Sequence, residues 1–249
     1  NYGNLIQRIS SFIIKNSDSI VSKPQNYREI DQKLLKSFDE TLVKYLKNSN
    51  EILELDLSLG HDLTDEKFVE DWFSKNQAQY LVNCFAINDH VDGKNQGNNL
   101  FDINLSEISE FLDVNVISLF SVCRHFAKQE KPRAITNFSS TYGVVSPIPG
   151  LYENGQKHIG YSISKGAVMQ LTRHLAVHLA PKIRVNCLIP GGVELNQSDE
   201  FINKYSSKTP LGRMMRKDEL NGIIEFLCSE KSSYVTGTAF KIDGGWTSI

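Results

Sequence analysis

Short apolar runs rich in β-branched residues alternate along this chain with longer helical stretches. The strand candidates are Ile52 to Leu57, Gln79 to Cys84, Ala134 to Ser139, Arg184 to Leu188 and Ala239 to Ile242. The helix candidates are Asp65 to Lys75, Ile108 to Lys128, Tyr161 to Ala180 and Lys217 to Cys228. Such alternation predicts a parallel sheet covered by helices on both faces. We therefore expect an α/β fold of the doubly wound Rossmann type.

The composition is that of one globular domain. The chain has 249 residues, of which 40% are hydrophobic and 22% are charged, so it is long enough to bury a full-sized core. We expect residues 1–249 to form a single domain. Ahead of the first strand named above, the pattern predicts a helix over Gln7–Lys15 and a strand over Asp18–Val21.

Charge and cysteine content argue against several function classes. The net charge is −2 with acids and bases interspersed, so we expect no basic face for a nucleic acid. Cys84, Cys123, Cys187 and Cys228 include no Cys-x-x-Cys pair, and we expect reduced thiols. No apolar run reaches the length, about 20 residues, that spans a bilayer, and no signal-peptide pattern is evident. We expect a cytoplasmic protein that does not bind membranes.

A phenol and an ammonium are placed one helical turn apart in the pentapeptide Tyr161-Ser162-Ile163-Ser164-Lys165. Side chains at positions i and i+4 share one helix face. A tyrosine with its ordinary pKa of about 10 is a poor acid or base near neutrality, but a nearby cation favours the phenolate and lowers that pKa. The spacing indicates a tunable acid–base pair or, since it also arises by chance, a solvated helix face.

Further polar residues follow in a set order around this pair. Asn115 lies in a helical stretch, Ser140 at a strand end, and Pro190-Gly191-Gly192 after an apolar run. In this order the chain resembles the short-chain dehydrogenase/reductase family. The likeness extends to Leu81–Ala86, which is similar to that family's Asn-Asn-Ala-Gly strand end, and to the closing stretch 234–245. It covers nearly the whole chain.

The resemblance implies an NAD(P)-dependent oxidoreductase that interconverts an alcohol and a carbonyl. Tyr161 would be the general acid and base, while Lys165 would lower its pKa and hold the nicotinamide ribose. Ser140 would hydrogen-bond the reacting oxygen, and Asn115 would anchor a water connecting Lys165 to solvent. Taken singly, Ser140 could instead be a strand-end cap and Asn115 a buried amide satisfied by backbone.

Cofactor and substrate contacts also follow from the resemblance. The implied cofactor contacts are Gly3 in the glycine-rich turn, Asp56 at the adenine amine, Asn83 and Ala86 beside the ribose, Tyr161, Lys165, and the turn Pro190, Gly191, Gly192 and Val193 near the nicotinamide. The implied substrate contacts are Ser140, Tyr152 and Tyr161. By contrast, Asp62 and Asp65 are typical of helix N-terminal charges.

The glycine-rich end of the site departs from the family pattern. The family's first strand and opening Thr-Gly are absent, which implies that about a dozen residues precede Asn1. Ile6 and Ala86 stand where the family usually has a Gly, and Leu195 stands where many members have a Thr. Pro24 stands where dinucleotide enzymes usually have an acid or a base. Lys23 could meet a 2′-phosphate, which slightly favours NADP over NAD, or it could be a solvated residue in a turn. The alternative function is a non-redox binding or scaffold subunit of the same fold.

A polar stretch between Gly143 and Tyr161 is longer than the family's usual one. Its donors and acceptors are Tyr152, Glu153, Asn154, Gln156 and His158. They favour a polyhydroxylated substrate, although an ordinary exposed loop would carry the same residues. With Gly191 to Gln197, this stretch resembles bacterial members associated with surface-sugar biosynthesis.

His174 and His178 are four residues apart on a predicted helix, a spacing that could suggest a metal pair. No third ligand accompanies them, and leucines share their helix at core spacing. We expect them on a helix face or a subunit interface, with no metal. Family members commonly assemble through this helix and its predecessor, so the resemblance implies a homodimer or homotetramer.

Overall fold

The structure of the protein, a computed structural model, describes residues 10–15, 51–88, 100–152, 156–195 and 197–249. In these ranges the strands are β1 (Ser10–Lys15), β2 (Glu51–Asp56), β3 (Tyr80–Asn83), β4 (Ala134–Phe138), β5 (Arg184–Pro190) and β6 (Ala239–Ile242). They form one sheet in the order β2-β1-β3-β4-β5-β6. Strands β3 to β6 are parallel, as the alternation predicts.

Helices lie in the described connections from β2 onwards. The α-helices of the described ranges are α1 (Glu66–Lys75), α2 (Leu105–Leu112), α3 (Leu119–Ala127), α4 (Ile159–Leu179), α5 (Asp199–Ser206) and α6 (Asn221–Leu227). Short 3-10 turns cover Leu57–Leu59, Thr141–Gly143, Glu230–Ser232 and Trp246–Ser248. A π-helical turn, Asp113–Ser118, separates α2 from α3. The predicted helix over 108–128 is therefore two α-helices joined by a wider turn.

Strand β1 corrects a sequence-based expectation. Residues 10–15, predicted inside a helix over Gln7–Lys15, form a strand antiparallel to both β2 and β3. The sheet is consequently mixed at this position and parallel elsewhere. A short apolar run such as Phe12-Ile13-Ile14 cannot be assigned to helix or buried strand from periodicity alone. The predicted strand Asp18–Val21 lies outside the described residues.

The sheet is buried on both faces, which is the doubly wound arrangement. Neighbouring residues of a strand face opposite ways, so Leu81 and Val82 belong to different cores. The first core lies between the sheet and α1 to α4, and Phe126 and Tyr161 are part of it. The second core lies under α6 and includes Ile224. Both cores hold the parallel strands in position, with their carboxyl ends at one edge.

Two further expectations can be compared with the described parts of the chain. No helix there combines the length and apolarity needed to cross a membrane. All four cysteines are free thiols, as predicted. Burial raises the pKa of the Cys123 thiol to about 12 and that of Cys187 to about 11, so both stay protonated near neutrality.

Candidate active site

The start of α4 is fixed by a buried histidine. The His158 Nδ1 accepts the Gly160 N–H at 3.1 Å and so caps the helix, while its Nε2 lies 3.2 Å from Glu107 Oε2. Its ring stacks on Phe111 at 4.9 Å between centroids. His158 is one of the polar residues of the stretch that favours a polyhydroxylated substrate, but its ring is buried and both ring nitrogens have partners in the fold. The cap places Tyr161 in the first turn of α4.

Tyr161 and Lys165 share a buried face of α4. Their side chains are 9% and 4% exposed, and Lys165 Nζ lies 5.9 Å from the Tyr161 ring centroid. A second cation, Lys157 Nζ, lies 4.9 Å from the same ring. The alternative of a solvated helix face is thus wrong. Both ammonium groups are close enough to the ring for a cation–π interaction.

The Lys165 ammonium has hydrogen-bonding capacity that the described residues do not use. Its Nζ donates to Phe138 O at 2.9 Å, and within the described ranges that carbonyl is its one acceptor. Burial lowers its pKa to about 8, with a smaller opposing effect from the thiols of Cys187 and Cys84. An ammonium has three donors. The remaining N–H groups fit the hydroxyl groups of a cofactor ribose.

The end of β4 brings two serines against α4. Ser139 Oγ donates to Lys165 O at 2.7 Å, and Ser140 Oγ accepts the Tyr142 N–H at 3.2 Å. Ser140 therefore is a strand-end cap, yet its hydroxyl proton finds no acceptor among the described residues. That proton remains available to a substrate oxygen. Gly143 is required here, because an added Cβ would lie 2.7 Å from the Lys165 backbone carbon.

Asn115 joins the π-helical turn to the loop after β3. Its Oδ1 accepts the Ile87 N–H at 2.7 Å and its Nδ2 donates to Ile87 O at 3.1 Å. The same Nδ2 also lies 2.9 Å from Ser164 Oγ, next to Lys165. Asn115 is thus a buried amide satisfied mainly by backbone. The π turn supplies the extra residue that aims it there, as such turns often do at functional sites.

We expect Asn115→Ala to destabilise the fold. The change leaves the buried N–H and C=O of Ile87 without a partner, which costs about 2–4 kcal/mol of unfolding free energy. Denaturant titration of the variant measures this cost. Asn203→Ala, at an exposed position of α5, is the matched control and should change stability by less than about 0.5 kcal/mol. An Asn115→Ala loss as small as the control's would contradict the bridging role.

Asn83 ends β3 with its side chain in a hydrogen-bond network inside the fold. Its Nδ2 donates to Asn137 Oδ1 at 2.9 Å, and Asn137 in turn donates to Thr172 Oγ1 at 3.0 Å. The Asn83 side chain is fully buried, so a cofactor contact at this position would have to use its backbone. Asp56 ends β2 as a buried side chain. Gly3, Ile6, Lys23 and Pro24 lie outside the described residues.

The two acids assigned to helix starts are found at or near one. Asp65 is the N-cap of α1, where its Oδ1 accepts the N–H groups of Lys67 and Phe68. Just before α1, the Asp62 carboxylate accepts hydrogen bonds from the Thr64 N–H and the Thr64 hydroxyl. Their carboxylates are therefore used by local backbone, as the sequence indicates.

The turn Pro190-Gly191-Gly192-Val193 follows β5 and is held by the C-terminal part of the chain. Gly191 N–H donates to Ile242 O at 2.9 Å, and Gly192 N–H donates to the Tyr205 hydroxyl at 2.6 Å. Val193 forms a bridge with Met215. Sequence reasoning did not single out Tyr205. The sequence pattern did not predict α5, the helix that carries Tyr205, and therefore gave no reason to select this residue.

Tyr152 lies next to another phenol that sequence reasoning missed. The Tyr152 and Tyr142 hydroxyls are 3.0 Å apart, and the Tyr152 ring lies 5.5 Å from that of Phe201. Burial raises the pKa of Tyr142, so its hydroxyl stays protonated. Because Tyr142 follows Ser140 by two residues, this phenol pair connects the serine loop with the polar stretch. Glu153 and Asn154 lie outside the described residues.

His174 and His178 are exposed on α4 with their rings stacked at 4.1 Å. His178 Nδ1 lies 2.8 Å from His174 O, a bond within the helix. Across the described ranges, no group of three or more His, Cys, Asp or Glu side chains is placed to hold a metal ion. The pair is therefore found on a helix face.

Comparisons with known proteins define the class. Residues 34–247 match the family model described as Enoyl-(Acyl carrier protein) reductase. Short-chain dehydrogenase fogB of Aspergillus ruber is 35% identical over 196 residues, covering 69% of this chain and 67% of that protein. Post-translational flagellin modification protein A of Campylobacter coli is 29% identical over 223 residues, covering 86% of this chain and 87% of that protein.

A solved structure agrees with these sequence matches. The short chain dehydrogenase from Leptospira borgpetersenii, with bound NAD+, is 33% identical, covers 75% of this chain and 73% of its own, and has a TM-score of 0.66. Fold and site thus define an NAD(P)-dependent oxidoreductase of the Rossmann type. The chain belongs to the short-chain dehydrogenase/reductase family.

Proposed function

We propose that this oxidoreductase interconverts an alcohol and a carbonyl, with Tyr161 as the general acid and base. The buried pairing of Tyr161 with Lys165 on α4 carries this proposal. During reduction the Tyr161 hydroxyl gives its proton to the carbonyl oxygen, and during oxidation the phenolate takes the proton of the alcohol. Bound NAD(P)H or NAD(P)+ supplies or accepts the hydride.

The neighbouring side chains support this proton transfer. The Lys165 ammonium stabilises the phenolate and gives its unused N–H groups to the nicotinamide ribose. Ser140 donates its unused hydroxyl proton to the reacting oxygen, whose developing charge it stabilises. Asn115, through its bond to Ser164, lies beside Lys165, where we propose that it anchors a water leading to solvent.

The remaining cofactor contacts lie along the carboxyl ends of the strands, which is where doubly wound sheets bind dinucleotides. We propose Asp56 at the adenine amine, Asn83 through its backbone and Ala86 at the ribose, and the turn from Pro190 to Val193 at the nicotinamide. The Leptospira relative holds NAD+. Lys23 and Gly3 lie outside the described residues. Gly3 is the proposed pyrophosphate contact, and Lys23 favours NADP. Since the relative holds NAD+, either dinucleotide is a candidate.

A sugar or sugar-derived metabolite is the proposed substrate. In the Tyr142–Tyr152 hydroxyl pair, Tyr142 lies two residues after Ser140. The Nζ of the half-buried Lys157 lies 4.9 Å from the Tyr161 ring centroid. Hydroxyl-rich substrates need polar partners of this kind. The Campylobacter coli relative is named for the post-translational modification of flagellin. His158 contributes nothing to this argument because it caps α4.

A substrate screen tests the proposal. Oxidation of NADH and NADPH is followed with keto-sugars and sugar nucleotides in one set and 3-oxoacyl thioesters in another, with Tyr161→Phe as the blank. We expect the parent protein to turn over a hydroxylated carbonyl substrate and Tyr161→Phe to show no such turnover. Turnover confined to the acyl set would contradict the sugar assignment and leave the redox assignment standing.

We propose a homo-oligomer that forms through α4 and the helices before it. Apolar side chains of α2, the π-helical turn and α4 are exposed at Leu105, Ile117 and Val177, with exposed fractions of 77%, 61% and 75%. We expect sedimentation to show a dimer or tetramer and Val177→Asp to weaken it. Leu211→Asp, at another exposed leucine, is the control. A monomeric parent protein would contradict the assignment.

A further inference from the structure

Tyr205 has a buried hydroxyl at the nicotinamide turn. The side chain is 5% exposed, and its oxygen accepts the Gly192 N–H at 2.6 Å. Burial raises the pKa of Tyr205 to about 12, so the phenol stays neutral and keeps accepting this bond at any ordinary pH. Without the hydroxyl, the half-buried Gly192 N–H would lose the partner that it has in the fold.

The Tyr205 ring also sets the position of the turn by contact. A Cβ added to Gly192 would lie 2.8 Å from Tyr205 Cζ and 3.0 Å from Met214 Cε. Only a glycine lets the turn approach the ring this closely. Tyr205 therefore holds the turn in two ways, by the hydrogen bond from Gly192 and by direct packing of its ring.

Tyr205 is itself held by the C-terminal segment 243–248. Its ring stacks on Trp246 with centroids 4.2 Å apart and an interplanar angle of 15°. Asp243 accepts the N–H groups of Gly245 and Thr247 at 3.0 Å each, which fixes the turn that carries Trp246. Trp246 is as buried as Tyr205. A continuous series of contacts thus connects the end of the described chain to Gly192.

We propose that Tyr205, backed by Trp246, is a positioning residue for the nicotinamide half of the cofactor. The proposal rests on the proposed function, which puts the turn from Pro190 to Val193 at the nicotinamide. Tyr205 acts through Gly192 and does not need to contact the cofactor. Its loss should therefore affect ligands that carry the nicotinamide ring and spare ligands that carry only the adenine half.

Calorimetric titration with NADH and with ADP-ribose, which lacks the nicotinamide, tests this separation. We expect Tyr205→Phe, which keeps the stacked ring, to weaken NADH binding about tenfold through the unpaired Gly192 amide and to leave ADP-ribose affinity unchanged. Trp246→Ala should act in the same direction, while Trp246→Phe, which restores a stacking ring, should recover most of the affinity. Tyr234→Phe, at a fully exposed phenol, controls for loss of a hydroxyl.

Two outcomes would overturn the proposal. Unchanged NADH affinity in Tyr205→Phe would show that the bond to Gly192 does not position the ring, and an equal loss for NADH and ADP-ribose would show a general defect of the fold. A parent protein that binds neither NADH nor NADPH, titrated alongside, would instead overturn the proposed function, and this proposal with it. The parent titration therefore separates the two kinds of failure.

Discussion

Replacing Tyr161 by Phe should lower turnover by about a thousandfold, the usual size of a general acid–base contribution. The change removes the hydroxyl that gives and takes the proton and keeps the ring that packs against Phe111. Cofactor affinity and the free energy of unfolding should stay close to those of the parent. Steady-state kinetics, with calorimetry for NADH and NADPH, measure both quantities on the same preparation.

A control variant makes this result specific to the position of the hydroxyl. Tyr80→Phe removes a half-buried phenol at the opposite end of the sheet, where β3 begins, and should leave turnover unchanged. Appreciable residual turnover in Tyr161→Phe would take Tyr161 out of the acid–base role. Equal losses of turnover in Tyr161→Phe and Tyr80→Phe would indicate that removal of either phenol disturbs the fold, and would not support a chemical role for Tyr161.

Replacing Lys165 by Met should abolish turnover and weaken cofactor binding by about tenfold or more, because a charged donor to the ribose is lost. The same change should stabilise the fold near neutrality by about 1 kcal/mol, since an apolar side chain replaces a buried charge. Replacing a residue whose role is packing would instead lower the stability and leave the turnover of the folded protein unchanged. Stability rising while activity falls would mark Lys165 as functional.

The pH dependence gives this prediction a second test. The folded-state pKa of Lys165 is about 8, below the ordinary value of 10.5, so folding disfavours its charged form. The cost is fully present below pH 8 and disappears as pH rises towards 10.5, because the folded state releases its proton first. The stability advantage of Lys165→Met, measured by denaturant titration, should therefore shrink between these pH values.

Lys182→Met is the matched control for the lysine prediction. Lys182 Nζ also donates to a backbone carbonyl, Gln129 O at 3.1 Å, but the residue is exposed and lies at the other end of β5. Turnover, cofactor affinity and the pH dependence should all stay at parental values. A stability advantage for Lys165→Met that is constant with pH would contradict the buried-charge account.

Periodic features of the chain predicted much of this fold. The strands β2 to β6 fall within a few residues of the expected runs, because buried parallel strands are short apolar segments that turn signals separate. The i and i+4 spacing placed Tyr161 and Lys165 on one face of α4. Local pattern was sufficient here because each element buries its own apolar face.

Features set by distant contacts were not predictable in this way. Strand β1 depends on pairing with β2 and β3, and its short apolar run fits a helix equally well. His158 was grouped with the polar residues of its stretch, and its role as the α4 cap was not evident because that role depends on Glu107 and Phe111. Tyr205 reaches Gly192 from α5, which the sequence pattern did not indicate. Long-range packing decided each of these positions.

Calorimetric titration of the protein with NADH and NADPH tests the central claim most directly. Saturable binding of at least one of them is expected, and the tighter ligand identifies the cofactor despite the departures from the family pattern at Ile6 and Pro24. Absence of binding of both at millimolar concentration would contradict the claim. The chain would then be a scaffold or binding subunit that keeps the fold of the family without its redox chemistry.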